Sequence, residues 1–414
     1  MKMSYKTLIV LVLIISILSG CSAGQADSFN GQTNINGELT IATFIENSFL
    51  EFAARKYEEL NEGVTVTIHV YIDENERDAA KFSQIINTSL MSGRGEDIID
   101  VGYIDWVTLA DSNRLLDLNG KIDFTPETHY QSVLDAYLYN GGRYAVPLSF
   151  YFSAYKFDDA FSHMEKPNPL TLDKMLVLAA EHPNTRLVIS GAGFDMVSLA
   201  NMMFSLNFHD FIDVKNKTAH VDNEMFKNLL EDIYSMSDNF LVQNELGVPV
   251  LMWEDALYNP AMSMNGLEDY SDMFLLTNNK GEALFSPIGF LPALNANSAN
   301  QGLAVSFMQF LLSEEMQSSP ELMFNPVNKN SSAEMAALVL ESIRAGGYAA
   351  PDFDLDRNIA VFNKFAESLK VVKHSDSFIN DFVRTELTRF FDGEVSAEQA
   401  ARNLQSRLTT YLNE

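Results

Sequence analysis

Cysteine is almost missing from this 414-residue chain. Cys21 is the only one, so neither an internal disulfide nor a paired-thiolate metal site can form. Positive charge is scarce too. Lys and Arg number 28 against 56 Asp and Glu, a formal charge of −28, and binding to nucleic acid would instead need a basic stripe for the phosphates. The seven histidines, His69, His129, His163, His182, His209, His220 and His374, show no paired-ligand spacing for a metal. Nucleotide and hydrolase signatures are also lacking. The stretch GAGFDM (Gly191 to Met196) begins like a dinucleotide loop but carries Met196 where the third Gly or Ala belongs. There is no Gly-Lys-Ser/Thr phosphate loop and no Gly-x-Ser-x-Gly elbow. DLDRNIAVFNKF (Asp354 to Phe365) opens like a calcium loop, yet Ile359 replaces its sixth-position Gly and Phe365 its closing Glu.

What is present is a globular composition with a distinctive start. Hydrophobic residues at 47% and aromatics at 11% exclude a disordered chain. Lys2 and Lys6 precede TLIVLVLIISIL (Thr7 to Leu18), the charged and apolar regions of a secretory signal. That run is shorter than the roughly 20 residues a stable membrane span needs. Small residues Ser19 and Gly20 follow, and Leu18-Ser-Gly-Cys21 resembles the bacterial lipobox. The resemblance implies cleavage after residue 20 and acylation of Cys21, whose acyl chains would hold the protein on the membrane, facing the extracellular or periplasmic side. Loss of Lys2 and Lys6 takes the formal charge from −28 to −30. Residues 21–37, rich in Gly, Ser, Asn and Gln, read as a flexible linker.

From Glu38 onward about 375 residues remain, too many for one ordinary core and suited to two lobes. ELTIATF (Glu38 to Phe44) reads as a strand, with a helix to follow, capped at Asn47 or Ser48 and stopped at Gly63. VTVTIHV (Val64 to Val70) alternates as a half-buried strand, a helix follows around Lys81 to Met91, and DIIDVGY (Asp97 to Tyr103) is a third strand. Strand, helix, strand, helix, strand predicts a parallel sheet with ligands at the carboxyl ends of its strands, the loops Phe44 to Ser48 and Gly102 to Trp106. A second unit runs through helices at Leu170–Pro183, Ser198–Phe208 and Asn223–Ser235, with a strand at Thr185–Gly193. Near the end, Ser396 with Gln399 makes a capping box. Ala397, Ala400, Ala401, Leu404, Leu408 and Tyr411 share one packing face of the helix that follows.

Four stretches carry a family likeness: GGRYAVPLSFYFSAYKFD (Gly141 to Asp158), AVSFMQFLLSEEMQ (Ala304 to Gln317), NPVNKNSS (Asn325 to Ser332) and the C-terminal FFDGEVSAEQAARNLQSRLTTYLNE. Together with the lipobox they resemble bacterial extracellular solute-binding lipoproteins of the carbohydrate ABC-importer type. The resemblance implies a two-lobe, doubly crossed α/β fold of the periplasmic-binding-protein type (type II). One lobe would be residues 38–147 with 284–325, the other 148–283 with 326–414. It further implies a non-catalytic monomer without a cofactor, closing its lobes on a small-molecule solute and delivering it to permease subunits, with a hinge at Pro147 to Ser153. Two other functions remain open at this level, presentation of the solute to a sensor and a secreted glycoside-acting enzyme.

Sugars offer flat C–H faces and many hydroxyls, so their sites combine aromatic platforms with carboxylates and amides. By loop position the candidates are Phe44, Glu46 and Asn47 after the first strand, and Tyr103, Asp105 and Trp106 after the third. The resemblance adds Phe150 and Tyr151 at the crossing, Phe194 and Asp195 at the Gly-rich turn, and Trp253 with Glu254. Trp106 and Trp253 are the only two Trp, few for a sugar binder, which leaves peptides and polyols open as solutes.

Overall fold

The computed structural model describes residues 37–72, 78–188, 195–237, 249–263, 268–347, 353–373 and 376–413. Cys21, the leader, the linker and Phe194 lie outside the described residues. The strands run in chain order as β1 (Gly37–Thr43), β2 (Val64–Val70), β3 (Ile98–Asp100), β4 (Leu138–Tyr139) and β5 (Gly142–Arg143). Then come β6 (Ser149–Phe157), β7 (Arg186–Val188), β8 (Ile212–Asp213), β9 (Thr218–Ala219) and β10 (Val250–Asn259). The last are β11 (Met262–Ser263), β12 (Ala283–Pro287), β13 (Pro292–Leu294), β14 (Asn325–Pro326) and β15 (Leu369–Val372).

The first βαβ series forms as its pattern predicts. β1 pairs in parallel with β2 and with β3, and the sheet order is β13-β3-β1-β2, with β13 antiparallel to β3. The helix Ser48–Leu60 starts at Asn47, whose side chain accepts from the Leu50 N–H, and the helix Ala79–Met91 is capped in the same way by Asp78. Such caps satisfy N–H groups that a first helical turn leaves unpaired. β2 is the edge strand, so its alternation is only half expressed: Val64 is buried while Val70 at the far end is exposed. β3 is shorter than the seven residues expected, because the chain turns away after Asp100.

The second sheet is the larger. Its order is β11-β10-β6-β12-β15, with β14 also pairing β6 and β7 also pairing β10. Alternation along β6 divides its side chains between two cores. Phe150, Phe152 and Ala154 enter the core shared with the first sheet, and Tyr155 and Phe157 enter a second core. Helices Leu172–Glu181, Met196–Leu206, Glu224–Ser235, Ser377–Phe391 and Ala397–Asn413 close that second core. In the last of these Ala397, Ala400, Ala401, Leu404 and Leu408 are buried as read, whereas Tyr411 is half-exposed and bonds Asp376. The capping box is half made. Ser396 accepts from the Gln399 N–H, but the Gln399 side chain is spent on Asn403. Asp354 to Phe365 is helix rather than loop, with Asp354 as its cap.

The chain passes between the sheets three times. Ala145 still bridges to Ala293 of the first sheet, and Ser149 already begins β6, so the first crossing is confined to about Pro147 and Leu148 rather than the predicted Pro147 to Ser153. The reason is pairing: Phe150 and Tyr151 are held by β14 and β12. The second crossing spans residues 288–291, between β12 in the second sheet and β13 in the first. β12 and β14, at the two edges of the 284–325 segment expected in the first lobe, both pair with β6 instead. The third crossing leads from the helix Gln301–Leu311 to β14.

Around these crossings aromatic rings meet. Phe362 lies 4.9 Å from Phe152, 6.1 Å from Tyr130 and 6.3 Å from Phe150 between centroids, and is fully buried. A Phe362→Ala variant should lose about 3 to 5 kcal/mol of stability through the cavity left at this junction. Denaturant unfolding measures it, and a loss below about 1 kcal/mol would mean the junction relaxes to fill the space.

Candidate functional site

The first-sheet candidates gather at the carboxyl ends of β1 and β3. Phe44 is buried, with its ring 4.3 Å from the half-exposed Tyr103 and 5.5 Å from Phe82. Glu46 is exposed beside them, and Asn47 is half-exposed, its Oδ1 accepting from Leu50 N at 2.9 Å. Asp105 caps the short helix Trp106–Asp111, with one carboxylate oxygen accepting from Thr108 N at 3.2 Å and the other from Thr108 Oγ1 at 2.7 Å. Trp106 is half-buried, 6.0 Å from Tyr137 and edge-on to Tyr139 at 6.4 Å. These residues form one neighbourhood with an aromatic surface and one exposed carboxylate.

On the second sheet, strand alternation redistributes the expected residues. Phe150 is fully buried among Tyr130, Phe152, Phe285 and Phe362, so it belongs to the core and offers no platform. Tyr151 faces the other way and remains half-exposed. Trp253 and Glu254 were expected side by side, but consecutive strand residues point to opposite faces. Trp253 pairs with Lys156 across β6 and donates its indole N–H to Asp158 Oδ2 at 2.9 Å. Glu254 pairs with Tyr155 and so shares the face of Ser153 and Tyr151. Trp253 is therefore removed from the site by its own strand register. Asp195 is exposed and caps the helix Met196–Leu206 through Ser198 N.

The Tyr151 face contains residues that sequence reading missed. Tyr258 stands 5.8 Å from Tyr151 and 5.5 Å from Phe324, giving three half-exposed rings in a row beside the first crossing. Ser153 and Ser286 lie on the same face, by their pairing with Ala256 and Tyr151. The signal for Tyr258 was present, since a period of two from Glu254 passes through Ala256 to it. No sequence signal pointed to Phe324, which reaches Tyr258 through the pairing of β14 with β6.

Beneath the first-lobe loops lies Asp100, the last residue of β3 and buried. Its Oδ1 accepts from Gly102 N at 3.0 Å and Leu291 N at 3.3 Å. Desolvation outweighs these donors and pushes the carboxyl up to about 7 from 3.8. Among the described residues no group of three or more His, Cys, Asp or Glu is arranged to hold a metal, and no helix is long and apolar enough to cross a membrane.

The two units also touch away from the crossings. Lys215 Nζ, in the β8–β9 hairpin, donates to Asn140 Oδ1 at 3.1 Å in the β4–β5 hairpin, whose Tyr139 hydroxyl bonds Asp111. Two α/β units on separate sheets, joined by crossings and bearing aromatics at the carboxyl ends of the first sheet's strands, make a two-lobe fold of the periplasmic-binding-protein type. Solved structures of that kind superimpose over nearly the whole chain. The GacH receptor of Streptomyces glaucescens, solved unliganded and with acarbose, aligns with a TM-score of 0.54 at 16% identity, over 92% of this chain and 99% of its own. The cyclic alpha-maltosyl-1,6-maltose binding protein of Arthrobacter globiformis gives 0.57 at 14% identity, over 91% and 99%. A family 1 extracellular solute-binding protein of Alicyclobacillus acidocaldarius gives 0.56 at 14%, over 92% and 99%. At these identities the likeness is one of fold. No protein-family model matches the sequence, and no curated protein matches it as a relative.

Because the folded state holds a proton on Asp100 up to about pH 7 that the unfolded chain releases near 4, stability should fall as pH rises through that window. Asp376, raised by its own burial, adds a slope of the same sign. Asp100→Asn should flatten the fall in melting temperature between pH 5 and 7.5 relative to wild type, and identical slopes would show that Asp100 does not titrate there.

Proposed function

We propose that this protein is the solute-binding lipoprotein of an ABC importer, tethered outside the cell by acylated Cys21. It captures a carbohydrate between its lobes as a monomer and hands it to permease subunits without chemistry. The observation that carries this reading is the row of Tyr151, Tyr258 and Phe324 on one face with Ser153 and Ser286, facing away from the shared core. Rings of this kind stack on the C–H faces of sugars, and the adjoining serines accept or donate to hydroxyls. Opposite them in function stand Tyr103, Trp106 and Glu46 on the first lobe. The fold likeness to proteins solved with acarbose or named for binding a cyclic maltosyl-maltose supports a carbohydrate as the solute class.

The first test is a thermal-shift screen of oligosaccharides, polyols and peptides, with acarbose included. A ligand that binds only the folded state adds about 2.7 kcal/mol at a hundredfold excess over Kd. A response to peptides alone would overturn the carbohydrate assignment. Tyr151→Ala and Tyr258→Ala should each weaken binding of a sugar found in the screen by about 2 kcal/mol, roughly thirtyfold, with little change in ligand-free melting temperature. Unchanged affinity in both variants would remove this face from the site. For the tether, Cys21→Ser should move the protein from the membrane fraction to the soluble fraction with its fold intact. A variant still recovered with membranes would show a different anchor.

A further inference from the structure

Two backbone segments meet at one buried side chain. Gly102 lies in the loop after β3 and Leu291 ends the second crossing; both donate their N–H groups to Asp100 Oδ1. The tie is reinforced from the other side, since Val101 N donates to Leu291 O at 2.9 Å. It is also a close fit. A Cβ on Gly102 would stand 3.1 Å from Asp100 Oδ1, so glycine lets the backbone come this near the carboxylate.

The residues beside it in the chain, Ile98, Ile99 and Val101, are apolar and fully buried. Burying a carboxyl group among them costs stability. What it supplies is an acceptor for two amides, one from each segment.

We propose that Asp100 is a positioning residue that locks the ligand loop after β3 to the second crossing, so that loop geometry and lobe orientation change together. This rests on the reading of Gly102–Trp106 as a ligand loop. The residue touches no ligand itself. Movement at residues 288–291 shifts Leu291, and through the shared oxygen it shifts Gly102 and, with it, Tyr103 and Trp106.

Hydrogen exchange on the full ligand-free chain tests the lock directly, comparing wild type, Asp100→Asn and Asp100→Leu at one pH. In Asp100→Leu the amides around residues 102 and 291 should exchange about tenfold faster together, one hydrogen bond's worth, while those of the helix Ala397–Asn413 stay at the wild-type rate. Asp100→Asn keeps one acceptor oxygen and should fall between, which also covers the case of a poorly folded Leu variant. Acceleration at residue 102 alone, or a uniform acceleration everywhere, would overturn the proposal.

A second arm uses acarbose as the probe. If wild type binds it, Asp100→Asn should weaken it by raising the dissociation rate, and unchanged affinity would count against the lock. If wild type does not bind acarbose, that counts against the proposed solute and leaves the exchange result to decide on Asp100.

Discussion

Wherever the chain leaves one sheet for the other, its backbone N–H and C=O groups lose their strand partners while still buried, and each must be satisfied by something else. Two side chains meet most of that need. Gln317, fully buried, donates from Nε2 to Leu148 O at 3.3 Å and Leu311 O at 3.2 Å, and accepts from Asn328 N at 3.3 Å. It thereby joins the first crossing to both ends of the third. Asp100 does the same for the second crossing and the loop after β3. The aromatic packing of Phe150, Phe152 and Phe362 can form because these polar groups have been satisfied around it.

The second organising fact is the alternation of β6 and β10. Those two strands are long enough to contribute to three environments at once: the shared core through Phe150 and Phe152, the second core through Tyr155, and the open face through Tyr151 and Tyr258. A slip of one residue in their pairing would exchange Phe150 with Tyr151 and bring Trp253 to the face now held by Glu254. The site is thus a product of register rather than of a motif.

This explains how far the sequence could be read. The βαβ opening was legible because its periods and caps are local: Asn47 caps the first helix as read, although Asp78, which caps the second, lies three residues before that helix's expected start. Two lobes were legible from length and from the resemblance. Phe150 and Trp253 were misplaced because the sequence shows which residues are aromatic but leaves open which face of a doubly buried strand is which. Phe324 and Asp100 were invisible, since each acquires its role from partners far away in the chain. Asp100 and Leu291 are 191 positions apart.

The first two crossings run side by side and are bonded at both ends. Val146 N donates to Pro292 O at 3.2 Å, and Ile288 N donates to Ser149 O at 3.2 Å, with Ser149 Oγ donating back to Ile288 O at 2.9 Å. A ribbon of two chains riveted at its ends is compliant to bending across its width and stiff to twisting and shear. In the proposed closure the lobes would rotate about a single axis, with the swing concentrated in the few residues between the rivets. Such a joint would return the same two surfaces to the same alignment, so the proposed binding geometry would be reproduced without a large interface to guide it.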